Sequence, residues 1–182
     1  MGEAEVSSAV FRKANSGDIK AVAAIYDDIH ALEEKGELHI GWQTGVYPVE
    51  STAQAALERG DLFVCEAEGR VLAAAIINKI QVDVYADCDW LYKAADENVM
   101  VLHTLVVKPS VARRGVGRNF VEFYEQYALS CGCDTLRMDT NEYNTTARAM
   151  YRKLGYREAD IVPCTFNAIP GVQLVLLEKK IG

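Results

Sequence analysis

The stretch that most constrains the fold of this chain is residues 107–118, VKPSVARRGVGR. Val107 ends a run of strand-forming residues, Pro109 stops the strand, and a helical pattern begins at Val116. Glycines at 115 and 117 let the backbone approach a ligand closely. The free N–H groups and the dipole at a helix start favour negative charge. The stretch therefore predicts an anion site between a strand and a helix, and the expected ligand is a pyrophosphate.

Composition and charge narrow the class of protein. The 182 residues are 50% hydrophobic and 25% charged, which predicts one globular domain over residues 1–182. The net charge of −7 argues against nucleic-acid binding and mildly favours a cationic partner. Neither a transmembrane run nor a signal peptide is recognisable, so we expect no membrane partner and a cytoplasmic location. The five cysteines are expected to be reduced, and no metal site is expected.

Hydrophobic periodicity predicts an alternation of strands and helices. Strands are expected over residues 10–13, 62–67, 70–80, 99–107, 135–140, 161–166 and 172–178. Helices are expected after Asn15 or Ser16, from a Ser51–Gln54 capping box to Gly60, from Val116, and from Asn144 to Leu154. Residues 81–97 are expected to form a loop with an extra turn. The mixture of hairpins and strand–helix–strand crossovers predicts an α+β fold.

Two segments carry a resemblance to a known family. One is Leu105-Val106-Val107-Lys108-Pro109 followed by Arg113-Arg114-Gly115-Val116-Gly117-Arg118, and the other is Asn144-x-x-Ala147-x-x-x-Tyr151-x-x-Leu154-Gly155-Tyr156. With these segments the chain resembles the GNAT superfamily, the Gcn5-related N-acetyltransferases. Residues 42–48 and 136–140 are similar to a bacterial subgroup of undefined substrate. The resemblance implies the acyl-CoA N-acyltransferase fold, a mixed, mostly antiparallel sheet of about seven strands flanked by about four helices.

The resemblance also implies a binding site for acetyl-CoA as co-substrate, without a metal. The residues that it assigns to this site are Leu105, Val106, Val107, Ala112, Arg113, Arg114, Gly115, Val116, Gly117, Arg118, Asn144 and Ala147. The family usually has Gln or Arg at the position of Ala112. The phosphates are therefore expected to be held by backbone N–H groups and by the flanking arginines. Asn144 is expected to cap its helix and to bind the pantetheine arm.

Tyr151 and His103 are the candidate catalytic residues. Tyr151 matches the family's tyrosine beside the CoA sulfur, and a protonated phenol can donate to a leaving thiolate. His103 lies on the central strand and, like an ordered water, can remove the amine proton. Each also fits a role in core packing. Strand alternation puts His103, Leu105 and Val107 on one side, and Leu102 and Thr104 on the other.

The sequence says less about the residues that bind the acceptor amine. Trp42 and Tyr47 are expected either to form an aromatic wall for a cationic amine or to cover the core. Arg137 and Asp139 are interpreted as a pair on a strand face.

The predicted function is transfer of an acetyl group from acetyl-CoA to a small-molecule or peptide amine, by direct attack in a ternary complex. The main alternative is a non-catalytic acyl-CoA-binding or sensing module, and a homodimer is possible for either. A third hypothesis is a nucleotide-binding protein. It is disfavoured, because neither a GxGxxG motif after the first strand nor a GKS or GKT after the glycines is present.

Overall fold

A computed structural model describes residues 9–182. Residues 1–8, on which the expectation about a signal peptide depends, lie outside the described residues. The strands are β1 Val10–Lys13, β2 Leu62–Ala67, β3 Arg70–Asn78, β4 Val99–Val107, β5 Thr135–Asn141, β6 Arg157–Phe166 and β7 Ile169–Lys180. The α-helices are α1 Ile19–Glu34, α2 Glu50–Arg59, α3 Val116–Ser130 and α4 Thr145–Lys153. Among residues 9–182 no helix is long and apolar enough to span a bilayer.

The seven strands form one sheet in the order β1-β2-β3-β4-β5-β7-β6. Every neighbouring pair is antiparallel except β4 and β5, which are parallel and joined through α3. This is the mixed, mostly antiparallel sheet with four helices that the resemblance implies. The parallel pair extends only from Val99 opposite Thr135 to Leu102 opposite Met138, although both strands continue. Beyond that point the centre of the sheet opens.

Three apolar clusters hold the layers together. The largest packs α3 and α4 on one face of the sheet, around Phe120 and Tyr124. A second packs α1 and α2 on the other face, where Ile19, Val22, Tyr26 and Ile29 are all buried, as the helical spacing predicts. The third places residues of the irregular segment after β3, including Tyr85 and Trp90, against β4 and β7. Burial of these apolar surfaces is the main force that fixes the layers.

The predicted start of α2 is wrong. The Ser51–Gln54 capping box does not form, because the helix begins at Glu50 and its N-cap is Val49. The Val49 N–H instead donates to Thr52 Oγ1 at 3.1 Å. The predicted end at Gly60 is confirmed, since this residue is in the left-handed conformation that closes a helix. Before α1, Asn15 caps the 3-10 turn Ser16–Asp18 that leads into the helix, accepting from the Gly17 N–H at 2.8 Å.

The predicted alternation of side chains along β4 is also wrong. Ile76 of β3 pairs with His103 and Ala74 pairs with Val106, so Thr104 and Leu105 both stand opposite Ala75. This β-bulge adds one residue and reverses the alternation after it. Leu105 and Val107 therefore pack against the same cluster as Leu102, while Val106 joins the opposite cluster. Sequence periodicity assumes a regular strand and cannot register an extra residue.

Candidate active site

One cavity of about 1720 Å³ occupies the opening in the sheet. It is lined by the ends of β4 and β5, the starts of α3 and α4, and the loop before α2. The cavity brings together all the site residues predicted from the sequence except Arg114 and Val116. Val116 is 1% exposed, because its side chain belongs to the core below the loop. Two halves can be distinguished, one at the helix starts and one under the loop that contains Tyr47.

The start of α3 has the features of an anion site. Its N-cap is Gly115, which has φ of 86° and gives no side-chain cap to the helix. The first N–H groups of this helix are thus left for a ligand, and the helix dipole favours a negative one. Arg113 and Arg118 line the cavity beside it, and Arg118 also pairs with Glu122 at 2.9 Å. A Cβ at Gly117 would meet only side chains, at 3.5 Å or more, so packing does not require a glycine there.

The bulge in β4 shapes the middle of the cavity. Thr104 has φ of 51°, an unusual value for a β-branched residue. Such backbone strain persists only where surrounding contacts hold it, and here the Thr104 hydroxyl is hydrogen-bonded to the Tyr47 hydroxyl. The bulge interrupts the regular pairing of β4 with β3 at Thr104 and Leu105, both of which line the cavity. Backbone groups at this point are therefore candidates for contact with a ligand.

Helix α4 brings Tyr151 to the cavity. Asn144 caps this helix by accepting from the Ala147 N–H at 3.2 Å, and Arg148 forms a bidentate ion pair with Glu158 of β6. Tyr151 is 6% exposed and its ring meets that of Tyr156 edge-on. Burial raises the pKa of Tyr151, and the charge of Asp139 raises it further. The phenol is therefore protonated across the neutral range.

His103 lines the cavity on the side of β3. Its Nε2 lies 3.1 Å from Asn78 Oδ1, and because an amide oxygen only accepts, the ring donates this hydrogen bond. Burial lowers the pKa of His103 to about 4. The imidazole is neutral at neutral pH but holds a proton weakly, so it is a poor acceptor for the proton of an ammonium group.

Trp42 and Tyr47 form an aromatic wall on the other half of the cavity. Their rings meet edge-on at 6.2 Å, and the carbonyl of Pro48 accepts from the buried His30 at 2.9 Å. Burial raises the pKa of Tyr47 to about 12. The loop before this wall is held to α1 by Glu33, whose carboxylate accepts from the Ile40 and Gly41 N–H groups at 2.8 Å each.

The predicted pairing of Arg137 with Asp139 is wrong. The Arg137 guanidinium lies over the Trp90 ring at 4.3 Å and donates to Gln81 at 3.0 Å. Asp139 instead lines the cavity, and its Oδ2 accepts from the Tyr85 hydroxyl at 2.7 Å. Burial raises the pKa of Asp139 to about 6. The sequence did contain a signal, because Asp139 is an acidic residue in the second half of a central strand, but it does not reveal that β4 and β5 separate.

Comparisons with known proteins identify the family and the fold. Residues 23–156 match a family model described as acetyltransferase (GNAT) family. A GNAT-family acetyltransferase structure from Streptococcus agalactiae superposes with a TM-score of 0.80 at 19% identity, covering 96% of each chain. One from Listeria monocytogenes gives 0.72 at 20% identity, covering 95% of each chain.

A third structure is a ribosomal-protein-alanine N-acetyltransferase from Brucella melitensis. It superposes with a TM-score of 0.70 at 17% identity, covering 94% of this chain and 99% of that one. No curated protein matches the sequence. At these identities the similarity to solved structures establishes the fold, while the family model establishes the family.

Proposed function

Because the chain belongs to the acetyltransferase (GNAT) family, we propose that it transfers an acetyl group from acetyl-CoA to a primary amine. The amine attacks the thioester directly while both substrates are bound. One observation carries this proposal: a single cavity joins the uncapped start of α3, the bulge in β4 and the Tyr151 side chain. The start of α3 is a candidate anion site, the bulge leaves backbone groups of β4 outside regular strand pairing, and Tyr151 is a candidate proton donor.

The residues present fit acetyl-CoA as the co-substrate. The uncapped N–H groups of α3 and the nearby Arg113 and Arg118 suit the pyrophosphate. The side-chain oxygen of Asn144 caps α4, which leaves its amide N–H groups for the pantetheine arm. Ala112 lines the same cavity with a small side chain, so the backbone and the arginines supply the contacts to phosphate. Bound in this way, acetyl-CoA supplies an activated acyl group.

Acetyl transfer requires three functions from the residues of the site. A donor must stabilise the negative charge that develops on the carbonyl oxygen, and the backbone at Leu105 in the bulge is our candidate. An acid must protonate the leaving thiolate, and the neutral phenol of Tyr151 fits that role. The attacking amine must lose a proton, for which the sequence favours His103 or a water. The lowered pKa of His103 makes the histidine a weak base for this step.

Direct attack is supported by the placement of the cysteines. All five are free thiols, and none of the described residues that line the cavity is a cysteine. An acetyl-enzyme formed on sulfur would need a thiol beside the thioester. Trp42 and Tyr47 then form the wall against which the amine acceptor, a small molecule or a peptide, is held.

The proposal is tested with a panel of amines and purified full-length protein. The panel contains an alkyl monoamine, spermidine, an aromatic amine and a peptide with a free N-terminus, and release of CoA thiol from acetyl-CoA is followed. We expect turnover with at least one of these amines and a mass increase of one acetyl group on that amine. Tight binding of CoA in calorimetry without turnover on any amine would instead support a non-catalytic acyl-CoA sensor. Competition by ATP or NAD would point to a nucleotide-binding protein.

A further inference from the structure

Asp139 is a carboxylate on the wall of the cavity, at the opening between β4 and β5. It follows Met138, the last residue of β5 paired with β4, so it stands at the point where the two strands separate. Its side chain lines the same cavity as His103, Thr104 and Tyr151. One oxygen, Oδ2, accepts from the Tyr85 hydroxyl at 2.7 Å, and no hydrogen bond from residues 9–182 reaches the other oxygen.

No cation of the described chain compensates this carboxylate. None of the salt bridges among residues 9–182 includes Asp139, and the nearest basic residue on its own strand, Arg137, is engaged with Trp90 and Gln81. A negative charge in a poorly hydrated site is costly unless a positive partner completes it. The missing partner is therefore expected to come with the ligand.

The titratable groups that face Asp139 from the packed elements are all neutral. They are Tyr85 after β3, Tyr47 in the loop before α2, Tyr151 on α4 and Cys164 on β6. Burial is the main cause that raises the pKa of each of them, so none carries a charge at neutral pH. Asp139 is thus the one charge in this circle of side chains.

We propose that Asp139 receives the acceptor as an ammonium ion and takes its first proton, which makes a cationic alkyl amine the substrate class. This inference rests on the proposed acetyl transfer. The ammonium binds by an ion pair, and transfer of one proton to Asp139 leaves a neutral amine. The burial that raises the pKa of Asp139 to about 6 makes the carboxylate a better proton acceptor than His103.

Every proton in the proposed reaction can then be accounted for. The neutral amine attacks the carbonyl carbon, the C–N bond forms, the C–S bond breaks, and Tyr151 gives its proton to the thiolate. The second proton of the nitrogen restores the Tyr151 hydroxyl as the amide forms. Asp139 releases the first proton to solvent when the product leaves. One ammonium and one thioester thus give one amide, one thiol and one proton.

The test compares Asp139→Asn with Tyr85→Phe and with the control Asp87→Asn. Asparagine keeps an oxygen that accepts from Tyr85, so the fold is retained while the charge is lost. Asp87 is exposed and outside the cavity, so it controls for loss of one negative charge. The substrate is the best alkyl amine of the panel. Rates of CoA release are measured over about pH 5 to 9, and binding of CoA is measured by calorimetry.

For the wild type we expect kcat/KM to rise with pH as Asp139 ionises and then to level off. Asp139→Asn should lower kcat/KM for the alkyl amine by ~100-fold or more and leave CoA binding unchanged. It should also abolish the rise of kcat/KM at low pH, which we call the acidic limb of the pH profile. An aromatic amine, already neutral at neutral pH, should be affected far less than the alkyl amine. The Tyr85 hydrogen bond lowers the pKa of Asp139, so Tyr85→Phe should move the limb to higher pH.

Two results overturn the role of Asp139 alone. One is an Asp139→Asn protein with kcat/KM within about threefold of the wild type on the alkyl amine, and the other is an unchanged acidic limb in that variant. Should Asp139→Asn fail to fold, an unshifted limb in Tyr85→Phe overturns it as well. By contrast, a wild type that binds CoA but turns over no amine overturns the proposed function itself, so the two failures are distinguishable.

Discussion

Replacing Tyr151 with phenylalanine removes one hydroxyl from the cavity and leaves its surroundings in place. The ring is 6% exposed and meets the Tyr156 ring edge-on with 6.0 Å between centroids, and phenylalanine keeps this packing. No hydrogen bond from residues 9–182 reaches the Tyr151 hydroxyl, so the substitution breaks no intramolecular bond. The free energy of unfolding is therefore expected to change by less than about 0.5 kcal/mol.

The effect on turnover should be much larger. A positioned general acid contributes ~10²- to 10⁴-fold, so losing it should raise the barrier of the chemical step by at least ~2.7 kcal/mol. Since burial raises the pKa of Tyr151, the phenol stays protonated over the working range and the loss should not depend on pH. The assay is CoA release in a single turnover with saturating acetyl-CoA, which isolates the chemical step from product release.

Tyr156→Phe is the matched control. The Tyr156 hydroxyl is buried, and no partner among residues 9–182 meets it with hydrogen-bond geometry. Removing an unsatisfied buried hydroxyl should stabilise the fold by about 1 kcal/mol and leave the rate unchanged. If Tyr151→Phe and Tyr156→Phe had equal single-turnover rates, Tyr151 would not be the acid that protonates the thiolate.

Three further outcomes follow from particular contacts. Gly115→Ala should cost about 1 kcal/mol of stability in a melt, because alanine is strained at φ of 86°, and should weaken CoA binding in calorimetry. Glu178, fully buried, uses its two oxygens to accept from the Leu91 and Tyr92 N–H groups at 3.1 Å each, and glutamine can keep only one of these hydrogen bonds. Glu178→Gln should therefore cost ~2 kcal/mol and speed hydrogen exchange in residues 81–97. The Arg12 hydrogen bonds hold the pKa of Asp18 below its usual range. The ion pair therefore stabilises the fold fully at pH values above the usual pKa of an aspartate, and this stabilisation is lost as the pH falls through the lowered pKa. Asp18→Asn should cost about 1 kcal/mol near neutral pH and nothing in acid, where denaturant midpoints of the two proteins should converge.

Much of the fold was predictable because it depends on local chemistry. The α1 residues Ile19, Val22, Tyr26 and Ile29 recur at helical spacing, and all four are buried in one cluster. The left-handed conformation of Gly60 at the end of α2 follows from the backbone preference of glycine. The start of α2 was not predictable in this way, because its N-cap Val49 has no side-chain acceptor and the Thr52 hydroxyl accepts from the Val49 N–H instead.

The anion site could be predicted from the sequence, since a strand, a glycine pair with arginines and a helix start are contiguous in residues 107–118. The sequence also identified Tyr151 and the aromatic residues Trp42 and Tyr47 as members of a site, and the structure brings them to one cavity. It could not show the bulge at Thr104 or the separation of β5 from β4 after Leu102, because register between distant strands depends on three-dimensional packing. Only from the packing of the strands does it follow that Asp139 faces the cavity beside Tyr85 and, among residues 9–182, without a cation, and the proposed amine site rests on this placement.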